Sequence, residues 1–358
     1  GSVSGLFKRL LKTFGSPNFY TMPSLESTLE LTASKLHGKN ATIGYDLDNA
    51  SFALSFGAGL IEGWGSPVNC FKANASRKER HAKLFQVEPR LSNTAANADK
   101  WIPIKPGTEA DLALAICGVI LKNKLFDASF SSNFKNGFSK FTSTLINYYS
   151  PDKVAEIIGV KATDIEKIAL QFVKAKTPVA ICGKGRGNSA QSLKEFAAVH
   201  VLNCLVGTIN KEGGAWINPL NSYLNFSEEM MDDTAGTGFK KGRLGNTVTD
   251  FFAKVNASTK PPIETLFIYN ANPCFTLHDT KSVKEAVKKV PFVVSFSSYL
   301  DETSMEADVI LPSNTFLERY EDIASGSGLA KTVVGLTRPV ADPVFDTKNP
   351  SYIPIHSK

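Results

Sequence analysis

Short apolar runs rich in β-branched and aromatic residues recur along the chain, and Gly, Asn or Pro closes most of them. They lie at 52–59, 82–88, 178–185, 265–273, 291–296 and 308–312. Runs of this kind are typical of buried β-strands. Segments of helical periodicity separate most of them, as in parallel sheets covered by helices on both faces. The pattern therefore predicts an α/β fold.

Several helix ends are marked by capping residues. Thr163 followed by Glu166 predicts an N-cap with a capping box. The segment 150–159 offers Ser as N-cap, Pro at the first helical position and Gly as terminator. We expect two further helices, one beginning at Thr108 and one that spans 190–207.

The stretch from Asn218 to about Lys260 is rich in Gly, Asn, Ser and Thr and has weak periodicity. A connection of this length is usually functional or partly disordered. We therefore predict a long irregular loop with a binding role or partial disorder.

Charge and cysteine content restrict the possible functions. The 358 residues carry a net charge of +6 without any long basic block, so nothing supports nucleic-acid binding. The five cysteines contain no C-x-x-C pair, which argues against a zinc site or an iron–sulfur cluster held by this chain alone. Cys117, Cys182 and Cys204 are predicted to be buried small apolar residues. No apolar run reaches the roughly 18 residues that a membrane span needs.

Four junctions between a predicted strand and the following loop are candidate ligand-binding positions. They are the loop at Gly57 and Gly59, the Glu88-Pro89-Arg90 turn, the glycines at 183, 185 and 187, and the loop of Asn270, Asn272 and Pro273. Open α/β sheets bind ligands where the carboxyl ends of their strands meet. The segment GKGRGNS lacks the spacing of a dinucleotide fingerprint. A generic nucleotide-binding module is therefore the least favoured alternative.

The segment VEPRLSNTAANADKWIPIKPGTEADLAL, at 87–114, is far more specific. It combines a strand, an acid-Pro-Arg turn, a Ser-x-Thr-Ala motif and a Pro-Gly-Thr-acid helix start. In this combination it resembles the molybdopterin oxidoreductases of the dimethyl sulfoxide reductase superfamily. Further similar segments extend over nearly the whole chain. The GLIEGWGSPV loop at 59–68 is similar to the molybdopterin-like subunits of menaquinone reductase complexes and to thiosulfate and polysulfide reductases.

The resemblance implies a site for molybdopterin guanine dinucleotide, in degenerate form or lost. Glu88 would accept a hydrogen bond from a ribose or guanine edge, and Thr94 and Glu109 would lie beside a guanine. The glycine loop at 183–187 and the loop at 270–273 would approach the pyrophosphate and the second nucleotide. The residues implied in cofactor binding are Gly57, Gly59, Glu62, Glu88, Arg90, Thr94, Gly107, Thr108, Glu109, Gly183, Gly185, Gly187, Asn270, Asn272 and Pro273.

Glu26 stands where members of this family normally have a cysteine that supplies a thiolate to molybdenum. Met22 and Thr28 also depart from the family pattern. A carboxylate can bind a metal as a hard oxygen donor, so ligation by Glu26 is chemically possible. We favour the alternative, in which no molybdenum is bound and Glu26 is a first-turn acid on the helix dipole.

By resemblance, the chain would form two doubly wound, mostly parallel-sheet domains, the second inserted in the first. Residues 1–105 and 262–345 would form one domain, 106–261 the inserted domain and 346–358 a tail. The implied function is a structural or electron-transfer scaffold in a membrane-associated respiratory quinone reductase, in the periplasm. Its partners would be iron–sulfur, cytochrome and membrane quinone-binding subunits. The alternative is an active molybdenum bis-pterin reductase of thiosulfate, polysulfide or a similar small oxyanion.

Overall fold

The computed structural model describes residues 2–134, 137–183, 190–220, 232–323, 328–331 and 333–352. The helices are α1 (Ser2–Thr13), α2 (Leu25–His37), α3 (Pro67–Glu79), α4 (Asn93–Ala96), α5 (Glu109–Lys122), α6 (Ala128–Asn133), α7 (Phe138–Tyr148), α8 (Pro151–Ile158), α9 (Ala162–Lys174), α10 (Ala190–Leu205), α11 (Asp233–Lys240), α12 (Val248–Ala257), α13 (Pro273–Thr276) and α14 (Thr280–Lys289), with a 3₁₀ turn at Ser304–Glu306. The strands are β1 (Ala41–Tyr45), β2 (Phe52–Phe56), β3 (Lys83–Val87), β4 (Lys100–Ile102), β5 (Pro178–Cys182), β6 (Ala215–Pro219), β7 (Thr265–Tyr269), β8 (Phe292–Phe296), β9 (Val309–Ile310), β10 (Glu321–Ile323), β11 (Gly328–Leu329) and β12 (Gly335–Thr337).

The chain forms two compact units, each built from separated segments. One comprises 1–22, 221–324 and 334–358, and the other comprises 23–220 and 325–333. The division differs from the expected one, in which 1–105 and 262–345 share a domain. The reason is strand pairing, because β5 joins β2 in one sheet while β7 pairs with β8 in another.

The larger unit is built on a parallel sheet with strand order β4-β3-β2-β5. Every residue of β2 and β5 is buried, as expected for apolar strands covered on both faces. Helix α5 has the sequence EADLALAICGVILK and is buried on nearly all sides, which matches its nearly continuous apolar composition. The largest fully buried side chains of this core include Leu54, Phe56, Ile116, Ile168, Phe172 and Phe196.

The larger unit also contains a small mixed sheet. Here β1 pairs in antiparallel fashion with β6 and in parallel fashion with β11. These strands are absent from the predicted set, because their sequences are less apolar than the runs found by pattern.

The buried guanidinium of Arg77 connects α3 to the main sheet. Its Nη1 donates to Asp99 Oδ2 at 2.6 Å and to Ala82 O at 3.1 Å. Asp99 Oδ2 also accepts from the backbone N–H of Leu84, on β3, at 2.8 Å. Arg77 therefore has a structural role, although it lies in a run of charged residues, RKER at 77–80.

The smaller unit contains the parallel sheet β7-β8-β9 and the antiparallel pair β10-β12. Its main core packs α12 and α14 through Phe251, Phe252, Val255 and Val287. A second cluster forms where Phe7 of α1 contacts the rings of Tyr269 and Phe296.

All six strands predicted from apolar runs are present. The helix at 150–159 begins after Ser150 and ends at Gly159, in the left-handed conformation, as predicted. The N-cap at Thr163 is wrong. Helix α9 begins two residues earlier than this cap implies, with Lys161 as N-cap, so Thr163 lies inside the first turn.

The expectation of irregular structure throughout 218–260 is also wrong in part. Residues 221–231 lie outside the described residues, but α11 and α12 follow them. Thr247 caps α12 and forms a reciprocal capping box with Asp250. That Thr-x-x-Asp spacing is readable in the sequence.

Candidate functional site

Three loops of the larger unit follow the carboxyl ends of adjacent parallel strands. They begin at Gly57 after β2, at Glu88 after β3 and at Gly183 after β5. The chain builds the sheet outward from β2 to β3 and β4, and later adds β5 on the other side of β2. Strand order therefore reverses between β2 and β5. In open α/β sheets, such a switch point is where ligands bind.

Glycine is required at two positions of this edge. Gly57 has a φ of +66°, which favours glycine, and its N–H donates to Val87 O at 2.9 Å. At Gly183, a Cβ atom would lie 2.1 Å from the Cα of Ala58. The loops after β2 and β5 therefore approach each other at backbone contact distance. Gly185 and Gly187 lie outside the described residues.

Glu88 is 4% exposed and is held by local partners. Ser92 Oγ donates to Glu88 Oε1 and accepts from the backbone N–H of Ala95, so it also caps α4. Trp101 Nε1 donates to Glu88 O at 2.9 Å. The acid-Pro-Arg turn thus places the Glu88 carboxylate inward and leaves Arg90 exposed at the same edge.

Glu62 connects the loop after β2 to helix α4. Its Oε1 accepts from the backbone N–H of Asn93 at 3.1 Å, and its Oε2 accepts from Thr94 Oγ1 at 3.3 Å. Thr94 is buried, whereas Glu62 is exposed. The structure therefore brings together Glu62, Glu88 and Thr94, which belong to separate sequence motifs.

Gln86 of β3 carries a buried polar atom without a partner at this edge. Its Nε2 donates to Ala58 O at 3.2 Å, whereas its Oε1 has no hydrogen-bond partner among the residues that the structure describes. Buried acceptors of this kind are uncommon. A ligand with N–H donors, such as a pterin or a guanine, fits such an acceptor.

Gly107, Thr108 and Glu109 form the turn from β4 into α5. Gly107 has a φ of +81°, and Thr108 Oγ1 donates to Lys105 O at 2.6 Å. Thr108 is the N-cap of α5 without a side-chain cap hydrogen bond. Glu109 is buried in the first turn, where its negative charge is stabilised by the positive end of the helix dipole.

Asn270, Asn272 and Pro273 belong to the other unit and follow β7. Asn270 is in the left-handed region with a φ of +48°, and Pro273 begins the short helix α13. The amide of Asn272 accepts from Thr303 Oγ1 at 2.6 Å and donates to Glu302 Oε2 at 2.7 Å. The hydrogen bond from Asn272 is the main reason that the pKa of Glu302 lies below its usual value.

Glu26 is an exposed residue in the first turn of α2. Ser24 is the N-cap of this helix and forms a capping box with Ser27. The prediction that Glu26 is a first-turn acid is therefore confirmed. A carboxylate at this position is a hard oxygen donor, and residues 16–28 contain no thiol. This donor set does not match a thiolate-held molybdenum.

Two contributors to this edge are missing from the predicted site. Ser92 holds Glu88 and caps α4, and a Ser two residues before Thr94 at a helix start is a recognisable N-cap signal. Gln86 is a single polar residue within the apolar run KLFQV, which is the signal that could have identified it.

A protein-family model described as "Molybdopterin oxidoreductase" matches residues 4–353. The chain belongs to the molybdopterin oxidoreductase family. This confirms the family and the α/β class inferred from the sequence.

Comparison with individual proteins agrees with this assignment. The "Menaquinone reductase, molybdopterin-binding-like subunit" of Nitratidesulfovibrio vulgaris is 33% identical over 352 residues, which are 97% of this chain and 48% of that protein. The thiosulfate reductase molybdopterin-containing subunit of Salmonella typhimurium is 28% identical over 371 residues, with the same two coverages of 97% and 48%. The structure of acetylene hydratase from Pelobacter acetylenicus has a TM-score of 0.80 at 20% identity, and it covers 98% of this chain and 52% of that chain. The chain thus spans about half the length of these relatives.

Within the described residues, no helix combines the length and the apolar character that crossing a membrane requires.

Proposed function

We propose that this chain is the core of a molybdopterin-oxidoreductase-like subunit in a membrane-associated respiratory quinone reductase complex, where it works without molybdenum. Its role there is that of a structural or electron-transfer scaffold. The observation that carries the proposal is Glu26, an exposed first-turn acid at the position where the resemblance implies a metal-binding thiolate. The similarity to a menaquinone reductase subunit over 97% of the chain supports it.

The local structure explains how Glu26 can remain without a metal. Negative charge in the first turn of a helix is stabilised by the unpaired backbone N–H groups there, typically by about 0.3–1 kcal/mol. The capping box of Ser24 and Ser27 defines the helix start independently of Glu26. Glu26 therefore has a sufficient structural role in α2.

The edge of the main sheet supports a retained or degenerate site for molybdopterin guanine dinucleotide. Backbone groups at Gly57, Gly59 and Gly183 would approach such a cofactor, and Gln86 Oε1 would accept a hydrogen bond from it. When bound with its metal, the cofactor supplies two-electron oxidation–reduction chemistry.

The proposed partners are iron–sulfur, cytochrome and membrane quinone-binding subunits. The proposed location is the periplasm, with attachment to the membrane through those partners. The names of the two curated relatives, both reductase subunits, support this setting.

Elemental analysis of the purified full-length subunit, together with pterin released on denaturation, tests the proposal. We expect less than a tenth of an equivalent of molybdenum, roughly the level of incidental metal. Pterin without molybdenum would support a retained pocket with a lost metal, and absence of both would support a fully degenerate site. One equivalent of molybdenum with pterin would refute the proposal.

The second candidate is an active molybdenum bis-pterin reductase of thiosulfate, polysulfide or a similar small oxyanion. The exposed carboxylate of Glu26 and the 28% identity to a thiosulfate reductase subunit favour it. In this case Glu26→Ala would abolish both molybdenum content and turnover. Glu30→Ala, one turn further along α2, is the matched control and would retain both. Equal behaviour of the two variants would count against this candidate.

A further inference from the structure

Three potential metal ligands lie between α2 and α10, away from the carboxyl edge of the main sheet. His37 is the last residue of α2, and His200 and Cys204 are four residues apart on α10. Residues four apart on a helix lie on the same face. Their ligand atoms all lie within 4.8 Å of one another. Cys204 is half-buried, in contrast to the fully buried residue predicted from the sequence.

The two imidazoles are in direct contact. His37 Nε2 lies 2.8 Å from His200 Nε2, and the rings are nearly perpendicular at 81°. A hydrogen bond between two ring nitrogens requires one donor and one acceptor. The ring that accepts therefore has an unprotonated Nε2, which is the form of the nitrogen that binds a metal.

His200 has one ring nitrogen that the protein does not use. The residue is 1% exposed, and its Nδ1 has no hydrogen-bond partner among the described residues. A buried polar group left unsatisfied costs about 1–3 kcal/mol. The two ring nitrogens of an imidazole point in different directions, so an ion held between the two Nε2 atoms does not bind Nδ1, which then carries the ring proton.

We propose that His37, His200 and Cys204 form a binding site for a d¹⁰ transition-metal ion, with Zn²⁺ as the preferred occupant. Two imidazole nitrogens and one thiolate sulfur are donors that Zn²⁺ takes in proteins. Three protein ligands leave the fourth tetrahedral position to water. The site has no counterpart among the cofactor positions considered above.

The distances are compatible with a small rearrangement on binding. Zinc–ligand bonds of about 2.0–2.3 Å place tetrahedral ligand atoms roughly 3.3–3.6 Å apart. The two Nε2 atoms would separate by about 0.5 Å, and the sulfur would move inward by about 1 Å at most. His37 is at a helix end and partly exposed, so it can make this adjustment and admit the ion. Binding releases the thiol proton of Cys204 to solvent, and the proton between the two Nε2 atoms moves to Nδ1 of the donor ring.

The site is separate from the position of Glu26. His37 and Glu26 are at opposite ends of α2, eleven residues apart (37 − 26), or about 16 Å along the helix axis. The result for zinc is therefore independent of the molybdenum measurement proposed above.

Titration of the reduced, metal-free full chain with Co²⁺ tests the proposal. Thiolate-bound cobalt has a sulfur-to-metal charge-transfer absorption that imidazole ligation alone does not produce. We expect about one equivalent of Co²⁺ to give this absorption and Zn²⁺ to displace it. We expect Cys204→Ala to abolish the absorption and His37→Ala to weaken Co²⁺ binding at least about tenfold.

Two variants elsewhere in the same unit are matched controls. Cys70→Ala removes another thiol, and His81→Asn replaces an exposed histidine with a residue that accepts its φ of +56°. Both should bind Co²⁺ as the unmodified chain does. Far-ultraviolet circular dichroism verifies that each variant is folded, and His37→Gln replaces His37→Ala if that variant is not.

The proposal is overturned if the unmodified chain shows no charge-transfer absorption at one equivalent of Co²⁺. It is equally overturned if folded Cys204→Ala binds Co²⁺ with unchanged affinity and spectrum, because another thiol would then be the ligand.

Discussion

The side-chain amide of Asn203 pairs with both backbone polar groups of Ala180. Its Oδ1 accepts from Ala180 N at 2.7 Å, and its Nδ2 donates to Ala180 O at 2.8 Å. Ala180 is the central residue of β5, at the edge of the described four-stranded sheet. A side chain of α10 thus satisfies groups that a further strand would otherwise pair.

We expect Asn203→Leu to lower the free energy of unfolding by about 2–4 kcal/mol, because it leaves a buried donor and a buried acceptor unsatisfied. Urea unfolding measures this effect. Asn123→Ala is the control, since exposed Asn123 donates to Val119 O of its own helix end. It should cost less than about 1 kcal/mol. Equal losses in the two variants would contradict the role given to Asn203.

Gly183→Ala should destabilise the protein by about 1–3 kcal/mol, because its Cβ would lie 2.1 Å from the Cα of Ala58. Gly59→Ala is the control at the same edge. The three atoms nearest to its Cβ would all belong to the side chain of Glu62, at 3.1 Å or more, and none would be a backbone atom. Thermal unfolding should show a clear decrease in Tm for the first variant and a much smaller change for the second. A decrease of similar size in both would show that the contact with Ala58 is unimportant.

Ser92→Ala should cost about 1–2 kcal/mol, because it removes both the cap of α4 and the hydroxyl donor to buried Glu88. Ser92→Thr retains the hydroxyl and should recover most of the loss. Ser66→Ala is the matched control, since Ser66 is the N-cap of α3 without a side-chain cap hydrogen bond. Chemical denaturation compares the three variants. A loss in Ser66→Ala as large as that in Ser92→Ala would argue against the double role of Ser92.

Asp99 should make stability depend on acidic pH. Burial alone would raise its pKa, but hydrogen bonds from Leu84 and Lys83 and the charges of Arg77 and Lys83 outweigh burial and lower it. A lowered folded-state pKa means that this stabilisation is complete above the unfolded value of about 3.9 and is lost as pH falls through the folded value. Asp99→Asn should therefore destabilise the protein at pH 7, by roughly 1–3 kcal/mol.

Below about pH 4, the free energy of unfolding of Asp99→Asn should depend less on pH than that of the unmodified chain. Lys83→Gln is the control, because Lys83 Nζ is largely exposed and lies 3.2 Å from Asp99 Oδ1. Such a surface pair contributes about 0–1 kcal/mol. Chemical denaturation of the three proteins between pH 7 and pH 3 measures how the free energy of unfolding depends on pH. An unchanged pH profile in Asp99→Asn would exclude Asp99 as a source of the acid dependence.

The sequence by itself determined the family, the α/β class and the six main strands. Local information was sufficient for these, because apolar runs closed by Gly, Asn or Pro describe buried strands and the Glu88 to Glu109 motifs are specific. It also placed Glu26 correctly in the first turn of a helix that begins after Ser24.

Only the tertiary structure decided which strands share a sheet and which side chains meet. The pairing of β5 with β2 joins residues more than 120 positions apart, and no local pattern encodes it. For the same reason the cluster of His37, His200 and Cys204 escaped a search for closely spaced cysteines. Its members come from two helices that are distant in the chain, and only packing of α2 against α10 brings their ligand atoms together.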